Sequence, residues 1–287
     1  MTTKAIREID HLLTYVRDLD AAASAFRHMG FTLSPLSRIE AMGISNHLVL
    51  MRQVTPGFAN YIELMSAHER ARLPPPMAKV LSGSEGIKSM VLGTEDAAAA
   101  QQAMLKHGFD VAPPVHVKRE WEIAPGQSVF PEFDVLMPVD APLAFNACRY
   151  FNVDLYLRPE WLVHANGAER VASVFAVAAD AAAVACRYGD LFEAPPRQST
   201  ESACTTPGRL DLEVMSVEAV RDRFGLTLPA PREAAYLGYL VEVASLDVLR
   251  SCLTAGKVPC RDLGGTICID PTDGFGNLIA FRERTET

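Results

Sequence analysis

Basic residues are in deficit in this chain: 27 Lys and Arg stand against 35 Asp and Glu among 287 residues, a formal net charge of −8. A nucleic-acid or anionic-membrane partner needs a positive footprint, so neither is expected. No apolar run approaches the roughly 20 residues of a membrane span. The six cysteines (Cys148, Cys186, Cys204, Cys252, Cys260 and Cys268) form no CxxC pair. A chain this long can fold without disulfides, so the thiols are read as reduced. The opening MTTKAIREIDHLL has scattered charges and neither the apolar core nor the cleavage site of a secretory signal, and a cytoplasmic protein is the expectation. A phosphate-binding glycine loop, a GxSxG elbow and an HExxH pair are also missing, which removes hydrolase, kinase and dinucleotide readings as first choices.

What is present is one phrase written four times. IDHLLTYVRDLDAAASAFRHMGF, from Ile9 to Phe31, reads as a strand, an acidic helix cap at Asp18, an Ala-rich helix and a stop at Gly30. Echoes begin at Ile87, Val171 and Gly238, with caps at Asp96, Asp180 and Ser245 and glycines at Gly108, Gly189 and Gly256. Successive glycines lie 78, 81 and 67 residues apart. That spacing suits a strand, a helix and further strands better than a solenoid repeat. In the first copy, extended segments follow near Phe31 to Ile39, Ser45 to Met51 and Asn60 to Met65, giving a βαβββ module. The Pro- and Gly-rich stretch 73–86 cannot be a central strand and connects to the second module. The expected class is therefore α+β, with four βαβββ modules paired into two cupped mixed-sheet domains. The first domain would span 1–166, including a less regular bridging segment at 139–166, and the second 167–287.

Strand parity selects the candidate residues. In NYIELMS, Tyr61, Glu63 and Met65 share one face while Ile62 and Leu64 turn to the other, which the helix covers. His11, Leu13 and Tyr15 share a face of the first strand. His11 and Glu63 can then meet on the concave side, where an imidazole and a carboxylate suit a divalent ion such as Zn, Mn, Ni or Fe(II). RLDLEVMS repeats the carboxylate at Glu213. His47 and His116 are candidates for a third ligand or for the pocket wall, with Tyr15, Tyr61 and Met65 lining it.

DHLLTYVRDLDAAASAFRHMGF, GISNHLVLM and NYIELM resemble the opening module of the vicinal oxygen chelate superfamily, in particular its glyoxalase-like branch, and RPEWLVHANGA resembles a segment of the same branch. The resemblance implies cupped sheets of paired βαβββ modules that usually hold a metal through the first and last strands of each module. Carried over by position, it assigns His11 and Glu63 as ligands, with Glu63 also catalytic. Ser89, Ser173 and Gly238 fall where His11 stands; Glu213 and Ala280 fall where Glu63 stands; Tyr150 is assigned in the second module. The implied function is a metal-dependent lyase, isomerase or ring-cleaving dioxygenase acting on a small substrate with vicinal oxygens. The alternative is a metal-free protein that sequesters a small molecule, as bleomycin-resistance relatives do. The C-terminal half, depleted of ligands, would complete the fold or a homodimer.

Overall fold

The computed structural model describes residues 4–200 and 202–285. The N-terminal half runs through β1 (Glu8–Tyr15), α1 (Leu19–His28), β2 (Ser37–Ile39), β3 (Ile44–Leu50), β4 (Tyr61–Ala67), α2 (Pro75–Val80) and β5 (Gly86–Gly93). It continues through α3 (Ala97–Lys106), β6 (Asp110–Val111), β7 (Val115–Lys118), β8 (Trp121–Ala124), β9 (Gln127–Val129), β10 (Glu132–Leu136), β11 (Pro138–Val139) and β12 (Phe145–Tyr150). The C-terminal half comprises β13 (Ala168–Val177), α4 (Ala181–Phe192), β14 (Arg197–Gln198), β15 (Ser202–Thr205), β16 (Asp211–Met215) and α5 (Val217–Phe224). It ends with β17 (Ala235–Val243), α6 (Leu246–Ala255), β18 (Arg261–Asp262), β19 (Thr266–Ile269) and β20 (Leu278–Glu283).

Sixteen of these strands form two curled eight-stranded sheets, ordered β2-β3-β4-β1-β5-β12-β10-β7 and β14-β15-β16-β13-β17-β20-β19-β18, while β6 pairs with β11 and β8 with β9. In each module the closing strand lies parallel to the first, and the first strands of paired modules run antiparallel at the sheet centre. The four phrases start this way because their caps work: Asp18, Asp96, Asp180 and Ser245 each accept hydrogen bonds from backbone N–H groups of the first helical turn. Such a cap contributes about 0.5–2 kcal/mol.

The stops are less uniform than the sequence suggests. Gly30 and Gly108 take positive φ after α1 and α3. Gly189 lies inside α4, where a Cβ would stand 2.8 Å from the Ala194 carbonyl oxygen, and Glu193 caps that helix instead. Gly256 lets the end of α6 approach α1, since a Cβ there would lie 2.0 Å from the His28 carbonyl oxygen.

One continuous apolar core spans both halves, joining residues of α1, α3, α4 and α6 to the helix-bearing faces of both sheets. Polar fasteners cross the same boundary. The Asn60 side chain exchanges two hydrogen bonds with the Val171 backbone, and the Asn277 Oδ1 accepts from the Ile87 N–H. Glu8, fully buried, accepts hydrogen bonds from the Arg209 and Leu210 N–H groups and from the Thr55 hydroxyl. His164 accepts the Thr32 N–H at Nδ1, 3.0 Å, so its Nε2 carries the proton given to the Leu50 carbonyl, 2.8 Å.

Burial holds the His164 imidazole below its ordinary pKa of 6.5, against the raising effect of the Leu50 bond. A histidine with a depressed folded pKa stabilises the protein above its unfolded pKa, and that stability is lost as pH falls. The stability gap between the wild type and His164→Gln should therefore narrow as pH is lowered from about 7.5 to 5. Urea melts across that range measure it, and a constant gap would contradict it.

The two concave faces differ. That of the C-terminal sheet is filled by its own α5, whose Val220 and Phe224 pack on Phe175, Met215, Leu240 and Ala280. Each buried side chain of this kind contributes about 1.5–3 kcal/mol. Arg223 of α5 also pairs with Glu213 at 2.7 Å. The sequence reading contained no helix here.

Candidate functional site

The concave face of the N-terminal sheet carries the polar side chains, and its register sets them in rows. One row is Tyr61, His11, Val91 and Asn146; the next is Glu63, Leu13 and Ser89. Relative to the central pair, Ser89 and Asn146 occupy the places in the second module that His11 and Glu63 occupy in the first. The register therefore corrects the assignment of Tyr150, which lies four residues beyond Asn146 at the end of β12.

The site is organised by a bulge. Pairing of β1 with β5 skips Asp10 between Ile9 and His11, so this residue escapes strand alternation and its carboxylate lies beside the neighbouring imidazole. Asp10 Oδ1 is 2.8 Å from His11 Nδ1, and Asp10 is fully buried. Asp10 also accepts the Ala59 N–H at 2.7 Å and the Tyr150 hydroxyl at 3.1 Å. With the Ala59 N–H and the Tyr150 hydroxyl both donating to it, the buried carboxylate is an acceptor, so the proton on His11 sits at Nδ1 and the Nε2 lone pair is free. Nε2 lies 3.8 Å from Glu63 Oε2. Glu63 Oε1 accepts the Asn46 Nδ2 at 2.6 Å. Because a carboxylate only accepts, Asn46 turns its nitrogen to Glu63, leaving Asn46 Oδ1 buried with no hydrogen-bond partner among the described residues.

Aromatic rings wall one side. His11 stacks on Tyr61 with centroids 4.1 Å apart, Tyr61 on Tyr156, and Trp121 and Trp161 cover them. Burial, reinforced by the Glu63 charge, raises the Tyr61 pKa well above its ordinary 10, and burial with Asp10 does the same for Tyr150. Both phenols stay protonated, and their hydroxyls are 3.1 Å apart. Tyr15 and Met65 belong to the opposite wall, packed with Leu13, Leu73, Met77 and Leu81, and Arg70 donates to the Tyr15 hydroxyl. Beyond Leu13, a cavity of about 1270 Å³ follows the sheet over Ser89 and Asn146, with Met77, Val80, Val115 and Val135 among its walls.

Two sequence candidates fall elsewhere. His47 pairs across from Leu64, not Glu63, so it lies on the helix-bearing face, where its Nδ1 donates to the Ser34 carbonyl and burial depresses its pKa. His116 is exposed near the sheet edge, between Asp134 and Glu132. Conversely, Asp10 and Asn46 were missed. Asp10 precedes His11 and parity assigns it to the other face; only the bulge, which has no sequence signature here, reverses that.

The donor set does not fit a resident transition ion. Of the four positions where the superfamily places ligands, only His11 and Glu63 supply strong donors. Ser89 and Asn146 are a hydroxyl and an amide, and Tyr150 is a protonated phenol on the Nδ1 side of His11, 3.4 Å away. Catalytic Zn or Fe(II) is commonly held by three His, Cys, Asp or Glu side chains. Among the described residues no cluster of three or more such side chains could hold a metal.

The family model described as "Glyoxalase-like domain" matches residues 9–192. No curated protein sequence matches the chain. Among solved structures, a hypothetical protein from Staphylococcus aureus superposes with a TM-score of 0.67 at 12% identity, covering 96% of this chain and 98% of the other. A xylose isomerase-like TIM barrel/4-hydroxyphenylpyruvate dioxygenase fusion protein superposes with a TM-score of 0.65 at 10% identity. The superposition covers 100% of this chain and 50% of the fusion protein. At these identities the likeness is one of fold.

Proposed function

The chain belongs to the glyoxalase-like domain family, and from that premise we propose that it is an enzyme of the lyase or isomerase kind, moving a proton at a carbon beside an oxygen-bearing group of a small organic molecule. The observation that carries this reading is the buried Asp10 carboxylate, 2.8 Å from His11 Nδ1, which leaves Nε2 facing Glu63. A carboxylate that holds one imidazole nitrogen protonated makes the other a positioned base, and such a base typically contributes 10²–10⁴-fold. Nε2 of His11 takes the proton from the carbon and, as the imidazolium, returns the same proton to the neighbouring atom, while the Glu63 carboxylate, held through Oε1 by Asn46, faces the transiently charged ring. Asp10 stabilises the imidazolium formed between these steps. The stack on Tyr61 fixes the plane of the imidazole.

No step is assigned to a metal, because the donor set falls short. Protein purified without chelators should hold far less than one Mn, Fe, Zn or Ni per chain, and added ions should leave its melting temperature unchanged. A stoichiometric ion lost in His11→Ala would overturn the metal-free part of the reading.

The main test is solvent deuterium wash-in, followed by NMR over a panel of small carbonyl and hydroxy-acid compounds. At least one should exchange a C–H, and His11→Gln should slow that exchange by 10² or more. Exchange indifferent to His11, or none across the panel, counts against proton transfer. Binding without turnover is the second reading, favoured by how little of His11 is open, 6%. It predicts compounds that raise the melting temperature without exchanging.

A further inference from the structure

Arg119 lies on the connection from β7 to β8, which lays Trp121 over the concave face. Its guanidinium is half-buried and donates through Nη1 to the buried Ser37 hydroxyl. Among the described residues no carboxylate pairs with it, and its Nε and Nη2 make no hydrogen bond. A guanidinium is always charged and carries five donors, so four are left over for a ligand.

Its neighbours tie it to the site. Ser37 pairs across β2 and β3 with Asn46, which holds Glu63, which faces His11. The guanidinium also lies 5.8 Å from the Trp121 ring, and its charge is felt at Tyr156, the ring stacked on Tyr61. A polar track thus crosses the concave face from Arg119 through Ser37 and Asn46 to Glu63 and His11. The Asn46 end of that track is short of donors. Asn46 Oδ1 is an acceptor with no partner, in a residue 2% exposed. His11 Nε2 and Glu63 Oε2 face each other across 3.8 Å, too far to be bonded.

We propose that this track binds a small hydroxy-carboxylate: the carboxylate pairs with Arg119, and a hydroxyl donates to Asn46 Oδ1. Arginine suits the task because its planar fork matches a carboxylate with two parallel hydrogen bonds. The buried acceptor supplies selectivity, since a ligand lacking the hydroxyl leaves it unsatisfied. This assignment rests on the N-terminal cup being the binding site, as in the reading above, but not on turnover.

The test is calorimetric titration of the full chain with lactate, mandelate, 3-phenyllactate and 3-hydroxybutyrate, each paired with its primary amide and with the acid lacking the hydroxyl. At least one hydroxy acid should bind tenfold or more tightly than both of its partners. Arg119→Gln should abolish the preference for acid over amide, Arg119→Lys should retain part of it, and Arg38→Gln, at an exposed arginine on β2, should leave it unchanged. Matched melting temperatures show that the variants fold. No binding by any acid, or a preference that survives in Arg119→Gln, overturns the proposal. Binding of a hydroxy acid without deuterium exchange leaves it standing and removes the proton-transfer reading instead. Exchange on neutral carbonyl compounds alone does the reverse.

Discussion

Replacing Glu8 with alanine is expected to lower the stability of the whole chain by about 4 kcal/mol or more, because four donors lose their acceptor and each buried loss costs about 1–3 kcal/mol. Ile9 N–H, Arg209 N–H, Leu210 N–H and the Thr55 hydroxyl all terminate on this one carboxylate. Glu8→Gln should fall between, since an amide keeps one acceptor oxygen and turns a donor toward groups that already donate. Urea unfolding followed by circular dichroism measures both. A loss under about 1 kcal/mol for the alanine variant would mean that water replaces the carboxylate, and the two halves would then be fastened chiefly by their shared apolar core.

The second large effect is on turnover. Asp10→Asn should reduce the exchange rate about 10²–10⁴-fold while leaving ligand affinity within a few-fold. Both oxygens of Asp10 are occupied by donors, from His11 and Tyr150 at Oδ1 and from Ala59 at Oδ2. An amide offers one acceptor, so its NH₂ must face either the Ala59 N–H or the imidazole. If it faces the imidazole, Nδ1 loses its proton to Nε2, which then cannot act as a base. The pH profile separates this from simple disorder: a tautomer change lowers the maximum rate across the profile, whereas a misfolded variant also loses affinity. Unchanged turnover would remove Asp10 from the mechanism.

Much of the fold was legible because its signals are local. The caps Asp18, Asp96, Asp180 and Ser245 are side-chain-to-backbone contacts made within three residues, and all four hold. The parity of Tyr61, Glu63 and Met65 follows from strand geometry, and the meeting of His11 with Glu63 follows from two strands lying side by side. What failed depends on more than alternation. His47 sits on a third strand whose phase relative to β4 was unknown, and one residue of register moves it to the other face. Asp10 was hidden by a bulge, Arg119 by the path of a connection that crosses over the sheet, and α5 by a segment whose apolar face shows only when the sheet beneath is known. Tyr150 was misplaced in register by four residues, yet its hydroxyl reaches Asp10.

The filled concave face of the C-terminal sheet also bears on how this chain can change over generations. Where α5 packs on Phe175, Leu240 and Ala280, a substitution is felt through volume: added atoms overpack the face and removed atoms leave a cavity. On the N-terminal face, by contrast, the charge and hydrogen-bonding capacity of a side chain matter as much as its size, since Asp10 accepts from three partners there. One sheet plan thus carries a concave face filled by packing in one half and a concave face of buried polar side chains in the other.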